Sequence, residues 1–341
     1  MNAPLIDHIL RLAVSILPVL LFLLALHLLD SYKLVRGRAL CTAILMGALV
    51  ALVSLPVNVL LMRWLSLDRA VYARYVAPIV EEILKAAYVY YLVRSRRVGF
   101  VVDAAICGFA VGAGFAVVEN AYYIQALGES RVVIWLVRGF GTAIMHGGTA
   151  AIFGIMTKSL FDRSAPRRRG VFVPGLVAAV LLHSFYNHFV FSPIVSTVLI
   201  HFTLPLVILV VFYRSEQVTR RWLGSQFDVD TELLEIINSG QVSGSPLGMF
   251  FRSIRDTFPR EVVVDMLCYL RLHVELGIHA KGILLMREAG LDPRPSPDVK
   301  SKLTELRHLQ RSIGKTGRLA IHPLLHSSSR DVWQLTILGE R

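Results

Sequence analysis

Residues 71–93 read VYARYVAPIVEEILKAAYVYYLV, an apolar run long enough to cross a bilayer that still holds Glu81, Glu82 and Lys85 near its middle. A spanning helix needs about 20 mostly apolar residues, and each charge at its centre costs about 3 kcal/mol on insertion scales. Three ionisable groups in one such run need an offset. Glu81 and Lys85 are four apart and Glu82 and Lys85 three apart, so one ammonium can serve both carboxylates. Pro78, one turn earlier, loosens the backbone at that level. Alone, the run is read equally well as a buried ion-pair lock, as a coupling site or as a centre that does chemistry.

Working outward, residues 9–29, 39–62, 100–124, 132–157, 171–191 and 194–212 meet the same length criterion. The predicted fold class is therefore all-α: a polytopic membrane helix bundle of about seven spans with a C-terminal cytoplasmic helical region. Composition agrees, with 55% hydrophobic and only 18% charged residues and a mean hydropathy of +0.58, where soluble domains carry about 25% charge. The net charge of +12 raises nucleic acid as a partner. The basic residues before Tyr213, however, sit mostly in short breaks between apolar runs, which is a topology signal and argues against nucleic acid.

The breaks alternate. Lys33, Arg36 and Arg38, then Arg94, Arg96 and Arg97, then Lys158, Arg163, Arg167, Arg168 and Arg169, then Arg214, Arg220 and Arg221 are richer in cations than the breaks between them at Arg63 to Arg69, Glu129 to Arg131, and Ser192 to Pro193. The positive-inside rule then puts the N-terminus outside the cell membrane and the tail in the cytoplasm. The first run lacks a basic leader and a small-residue cleavage pattern, and is expected to be a retained helix. Cys41, Cys107 and Cys268 have no metal-type spacing and give no disulfide framework. Small residues crowd two runs, Ala104, Gly108 and Gly112 in one and Gly139, Gly147, Gly148, Ala151 and Gly154 in the other, which predicts close backbone packing at the bundle centre.

The chain divides into 1–214, transmembrane, and 215–341, cytoplasmic and mainly helical. In the tail, Asp230, Pro259 and Ser296 with Pro297 open helical runs that stop at Gly240, Gly290 and Gly314, with loops over 240–248 and 292–297. This region has room for a cytoplasmic partner.

Other candidates for chemistry follow in the later runs: Phe115 and Glu119 on one face with Asn120 beside the glutamate, His146 near the centre of its run, and His183 and Asn187 four apart. Each has a bland reading, a snorkelling carboxylate or a hydrogen-bonded packing histidine. At 1.5 Å per residue from the outer ends, Glu81 lies ~15 Å deep, Glu119 ~8 Å, His146 ~21 Å, His183 ~12 Å and Asn187 ~6 Å. Similar depths on four consecutive helices predict one polar cavity equipped for water-driven peptide hydrolysis.

At these residues the chain resembles the PrsW-type intramembrane proteases, distant relatives of the CAAX prenyl endopeptidases. Glu81-Glu82-Ile83-Leu84-Lys85 looks like the family's Glu-Glu-x-x-Lys motif, and Phe115-Ala116-Val117-Val118-Glu119 like its Phe-x-x-x-Glu motif. His146 and the His183 to Asn187 pair match the later histidine motifs. The second motif ends in histidine in the CAAX endopeptidases, so Glu119 favours the PrsW-type branch. The resemblance implies that 1–214 is a protease domain, and that the substrate is a membrane-anchored protein, typified by an anti-sigma factor cut on its extracytoplasmic side. It implies roles as well: Glu81 as base on water, Glu82 and Lys85 as its electrostatic partners, Glu119 as a second carboxylate or ligand, and His146, His183 and Asn187 as ligands or oxyanion donors. Two mechanisms stay open: a divalent metal, zinc by its donors, on His146, His183 and one or two of Glu81, Glu82 and Glu119, or a glutamate base unaided. Rival functions are a CAAX-type endopeptidase, an ion-coupled transporter, and a non-catalytic scaffold or sensor.

Overall fold

A computed structural model describes residues 3–127, 132–163, 170–291, 293, 296–325 and 338. The loop charges Glu129, Arg131, Arg167, Arg168 and Arg169 and part of the 292–297 connection lie outside the described residues. Every regular element described is helical: α1 (Ala3–Leu28), α2 (Gly37–Trp64), the single turn α3 (Arg69–Val71), α4 (Ala77–Arg94), α5 (Val101–Leu127), α6 (Val132–Leu136), α7 (Ala143–Arg163), α8 (Val173–Asn187), α9 (Pro193–Asn238), α10 (Pro246–Ile254), α11 (Arg260–Glu288), α12 (Val299–Ser312) and α13 (Gly314–Ile321). Two π-helical turns, Tyr72–Val76 and Val137–Thr142, join α3 to α4 and α6 to α7. The chain forms two compact units, Met1–Ser215 and Glu216–Arg341.

In the first unit α5 and α7 are central. The most apolar stretch of α5 is 83% buried and that of the run ending in α7 is 72%, against 22% for α1 and 17% for α2. The small-residue stripes are the cause. A Cβ added at Gly112 would stand 2.1 Å from the His146 carbonyl oxygen, at Gly108 2.4 Å from that of Ala150, and at Gly154 2.4 Å from that of Ala104. Each step of four up α5 thus meets a step of four down α7, and any larger side chain would part the two backbones. Lipid offers no hydrophobic drive between helices, so this close contact is what holds them. The register also delivers His146 to its place opposite Gly112. The exposed faces of α1, α2 and α9 are leucine, valine and phenylalanine, as a lipid-facing surface requires.

Five helical stretches are long and apolar enough to span a bilayer: Ile9–Leu28, Gly37–Trp64, Val101–Ala126, Val132–Arg163 and Pro193–Asn238. The other two of the seven expected spans do not reach that mark. Residues 71–93 form the π turn and α4, which carry Arg74, Glu81, Glu82 and Lys85 and so fall short in apolarity. The run 171–191 is helical only over the 15 residues of α8, and Phe189 beyond it takes a left-handed φ of 46°. Apolar run length overstates helix length wherever the chain turns inside the run.

The second unit packs α11 against α12 and α13, burying Met266, Leu270, Ile283 and Leu284 with Leu303, Leu306, Leu309 and Ile321. Gly240, Gly290 and Gly314 adopt φ of 73°, 81° and 65°, the left-handed stops expected after helices. Asp230 does not open a helix as its position suggested. It lies within α9 and accepts from buried Lys281 at 2.6 Å, so its carboxylate serves a tertiary ion pair rather than a cap. The expected 240–248 loop contains a 3-10 turn, Gln241–Gly244, and the start of α10, capped by the Ser245 hydroxyl accepting from the Gly248 amide.

Candidate active site

The π turn ahead of α4 follows from Pro78. Proline has no N–H to give the carbonyl four residues back, Arg74, and its ring crowds the preceding turn. The ladder slips by one residue, and the Ala77 amide bonds the Tyr72 carbonyl. The carbonyls left over are taken by α8: Ser184 Oγ donates to Arg74 O at 2.6 Å and Asn187 Nδ2 to Ala73 O at 2.9 Å. Asn187 was expected among the ligands or oxyanion donors, and the structure places it on the backbone of that turn. Its amide satisfies a freed backbone carbonyl and clamps α8 to the turn before Glu81, instead of joining the chemical centre.

Glu82 is the hub of that centre. One of its oxygens, Oε1, accepts from Lys85 Nζ at 2.6 Å, His183 Nδ1 at 2.7 Å and Thr149 Oγ1 at 3.1 Å. Lys85 is fully buried and Glu82 is 2% exposed. Lys85 Nζ also reaches His146 Nδ1 at 3.2 Å and lies 4.9 Å from the Phe115 ring centre. Because a lysine only donates, His146 Nδ1 accepts, and its Nε2 carries the proton to Glu119 Oε2 at 3.1 Å. By the same logic His183 Nδ1 carries the proton to Glu82 and Nε2 keeps a free lone pair. That lone pair faces Glu81 Oε2 at 3.9 Å. The two imidazoles meet edge to face, 4.9 Å between centres.

The adjacent glutamates therefore have different lives. Glu82 is spent on three donors, whereas Glu81 has one, Asn58 Nδ2 on Oε1 at 3.0 Å. Asn58 is itself oriented by the Tyr72 hydroxyl at 2.9 Å. Glu119 is no snorkelling side chain. Arg138 Nη2 donates to its Oε2 at 3.1 Å, while Arg138 Nε bonds Asn120 Oδ1 at 2.9 Å and Asn120 Nδ2 donates to Ser15 O at 2.7 Å.

Of the sequence candidates, Glu81, Glu82, Lys85, Glu119, His146 and His183 come together, and Asn187 does not. Arg138, Asn58, Thr149 and Tyr72 were missed. Arg138 had a signal, a cation inside an expected span, the same reason for which Glu81 stood out. Asn58 and Thr149 had none, since a lone amide or hydroxyl in a membrane helix ordinarily bonds its own backbone.

One ligand atom each from Glu81, His146 and His183 lies within 4.8 Å of the others. Two imidazoles and a carboxylate are the donor set of a catalytic zinc with an open position, and Glu82 behind His183 Nδ1 is the outer partner such a histidine uses. The residue types fit a divalent metal: His183 Nε2 is open, and His146 would ligate through Nδ1 once Lys85 Nζ moves off it. The carboxylate grouped with the histidines is Glu81, one of the three glutamates the sequence had offered, while Glu119 is held by Arg138 and His146.

Ionisable groups sealed among apolar helices, with a carboxylate oxygen and an imidazole lone pair left free, define a polytopic membrane protein with a buried polar centre. The chain belongs to the PrsW family of intramembrane metalloproteases, which matches residues 36–214, more than half its length and every residue of the cluster. No curated protein and no solved structure matches it. It is thus a membrane-embedded protease whose substrate is a membrane protein.

Proposed function

We propose that the protein hydrolyses a peptide bond of a membrane-anchored protein, of which an anti-sigma factor is the type the family resemblance implies, and that Glu81 is the residue on which the step depends. The observation that carries this is the contrast at the hub: Glu82 Oε1 is occupied by three donors, while Glu81 Oε2 is open toward His183 Nε2. A carboxylate so placed takes the proton of the attacking water. Glu82 holds the His183 tautomer and Lys85 fixes both Glu82 and the His146 ring. Glu119, tied to Arg138, orients the far nitrogen of His146. A divalent metal would be held by Glu81, His183 Nε2 and, once Lys85 gives up its contact, His146 Nδ1; it would supply Lewis-acid activation of water and of the scissile carbonyl, with Glu81 then a ligand in place of the base.

Residues 1–214 form the protease domain in this reading, and the tail after it is cytoplasmic with the N-terminus outside; reporter fusions at Ser192 and Ser215 should then report opposite sides. The central test compares membrane-protein fragments in cells carrying the wild type or Glu81→Gln. The glutamine keeps shape and removes charge, so fragments should vanish while the protein accumulates normally. Unchanged fragments from a Glu81→Gln chain would remove Glu81 from the mechanism.

A further inference from the structure

The second unit carries a cavity of about 480 Å³ lined by Arg307, Gln310 and Arg311 of α12 and by Gly314, Lys315 and Arg318 of α13. Four of these six residues are cations and none is acidic. Among the described residues no ion pair engages Arg307, Arg311, Lys315 or Arg318, although lysines elsewhere in the unit do find acids, Lys281 with Asp230 and Lys302 with Glu275. The Arg318 Nε is buried without a hydrogen-bond partner. The acid on the facing helix, Asp265, is taken by the Ser312 hydroxyl.

Such a gathering works against itself. Arg307 and Arg311 are like charges four apart on one helix face, which disfavours the helix, and Lys315 and Arg318 add to the repulsion from the next helix. Gly314 makes the meeting possible. Its φ of 65° ends α12 and turns the chain so that α13 brings its two cations to the same hollow. Meanwhile the opposite faces are committed to the core through Leu303, Leu306, Leu309 and Ile321. The cations are thus rigidly presented by buried neighbours.

We propose that this hollow binds the phosphate group of an anionic ligand. Three guanidinium forks and an ammonium match the several oxygens of a phosphate better than the two of a carboxylate, and an anion would both neutralise the cluster and satisfy Arg318 Nε. The phosphate comes from a lipid headgroup or from a soluble phosphate ester. Leu319, 73% exposed beside Arg318, is the apolar neighbour that a lipid would use. The site lies outside residues 36–214 and is independent of the protease reading.

The test is hydrogen exchange on the full chain in three nanodisc samples matched in ionic strength: phosphatidylcholine alone, phosphatidylcholine with phosphatidylglycerol, and phosphatidylcholine with millimolar inorganic phosphate. A ligand at twice its Kd should slow exchange of the 299–321 peptide about threefold, since opening is suppressed by 1 + [L]/Kd. Slowing in the phosphatidylglycerol sample assigns a lipid, and slowing with inorganic phosphate assigns a soluble ester. The double variant Arg311→Glu with Arg318→Glu should lose the effect while exchange in 266–284 stays as in the wild type; if that core loosens, the milder Arg311→Gln with Arg318→Gln decides. Equal exchange in all three samples, or slowing that the variants retain, overturns the proposal.

Discussion

Replacing Lys85 by methionine keeps the apolar stem and deletes the ammonium at the centre of the cluster. Three contacts go with it: the 2.6 Å bond to Glu82, the 3.2 Å contact to His146 Nδ1 and the approach to the Phe115 ring. Glu82 is then a buried carboxylate, 2% exposed, with only His183 and Thr149 as donors. Removing one partner of a buried ion pair costs about 3–5 kcal/mol, because the other is left uncompensated. Domain stabilities are about 5–15 kcal/mol, so at about 1.4 kcal/mol per decade the unfolded fraction should rise a hundredfold or more. The double variant Lys85→Met with Glu82→Gln removes both charges and should recover at least half of the loss, a coupling that a cycle of unfolding titrations in mixed micelles reads directly. A Lys85→Met protein within about 0.5 kcal/mol of the wild type, or a double variant that is simply the sum of the singles, would refute the pairing as the source of stability.

Three further outcomes are expected. Asn187→Ala removes one hydrogen bond to a backbone carbonyl and should cost about 1 kcal/mol of stability while leaving substantial cleavage; complete loss of cleavage in a stable Asn187→Ala protein would return this residue to the chemistry. A membrane-permeant chelator should abolish cleavage and added zinc should restore it if the Glu81, His146 and His183 group holds a metal, with elemental analysis showing close to one ion per chain, whereas a metal-free active preparation assigns the step to Glu81 alone. In the second unit, burial pushes His273 down to about 4 from 6.5. Its folded pKa lies below the unfolded one, so its contribution is complete above pH 6.5 and lost as pH falls toward 4, about 3 kcal/mol; a His273→Phe chain should show a flatter dependence of its thermal midpoint over that window.

The membrane character, the family and the central pair of helices were all legible in the order of residues. Apolar runs of spanning length imply a bilayer because backbone polar groups must be satisfied within each helix. Glycine and alanine every fourth residue imply close approach because four residues return to one face. Charges in the middle of a run mark a functional centre because they are costly there. Periodicity nonetheless reports which face a residue occupies, never which neighbour that face meets. Two glutamates adjacent in sequence point about 100° apart on a helix, and only the α5 and α7 register, together with the approach of α8, decided that Glu82 would be saturated and Glu81 left open. The same limit hid Asn187's true partner: the carbonyl it bonds is free only because Pro78 shifts a backbone ladder on another helix, and that becomes visible once the two helices are side by side.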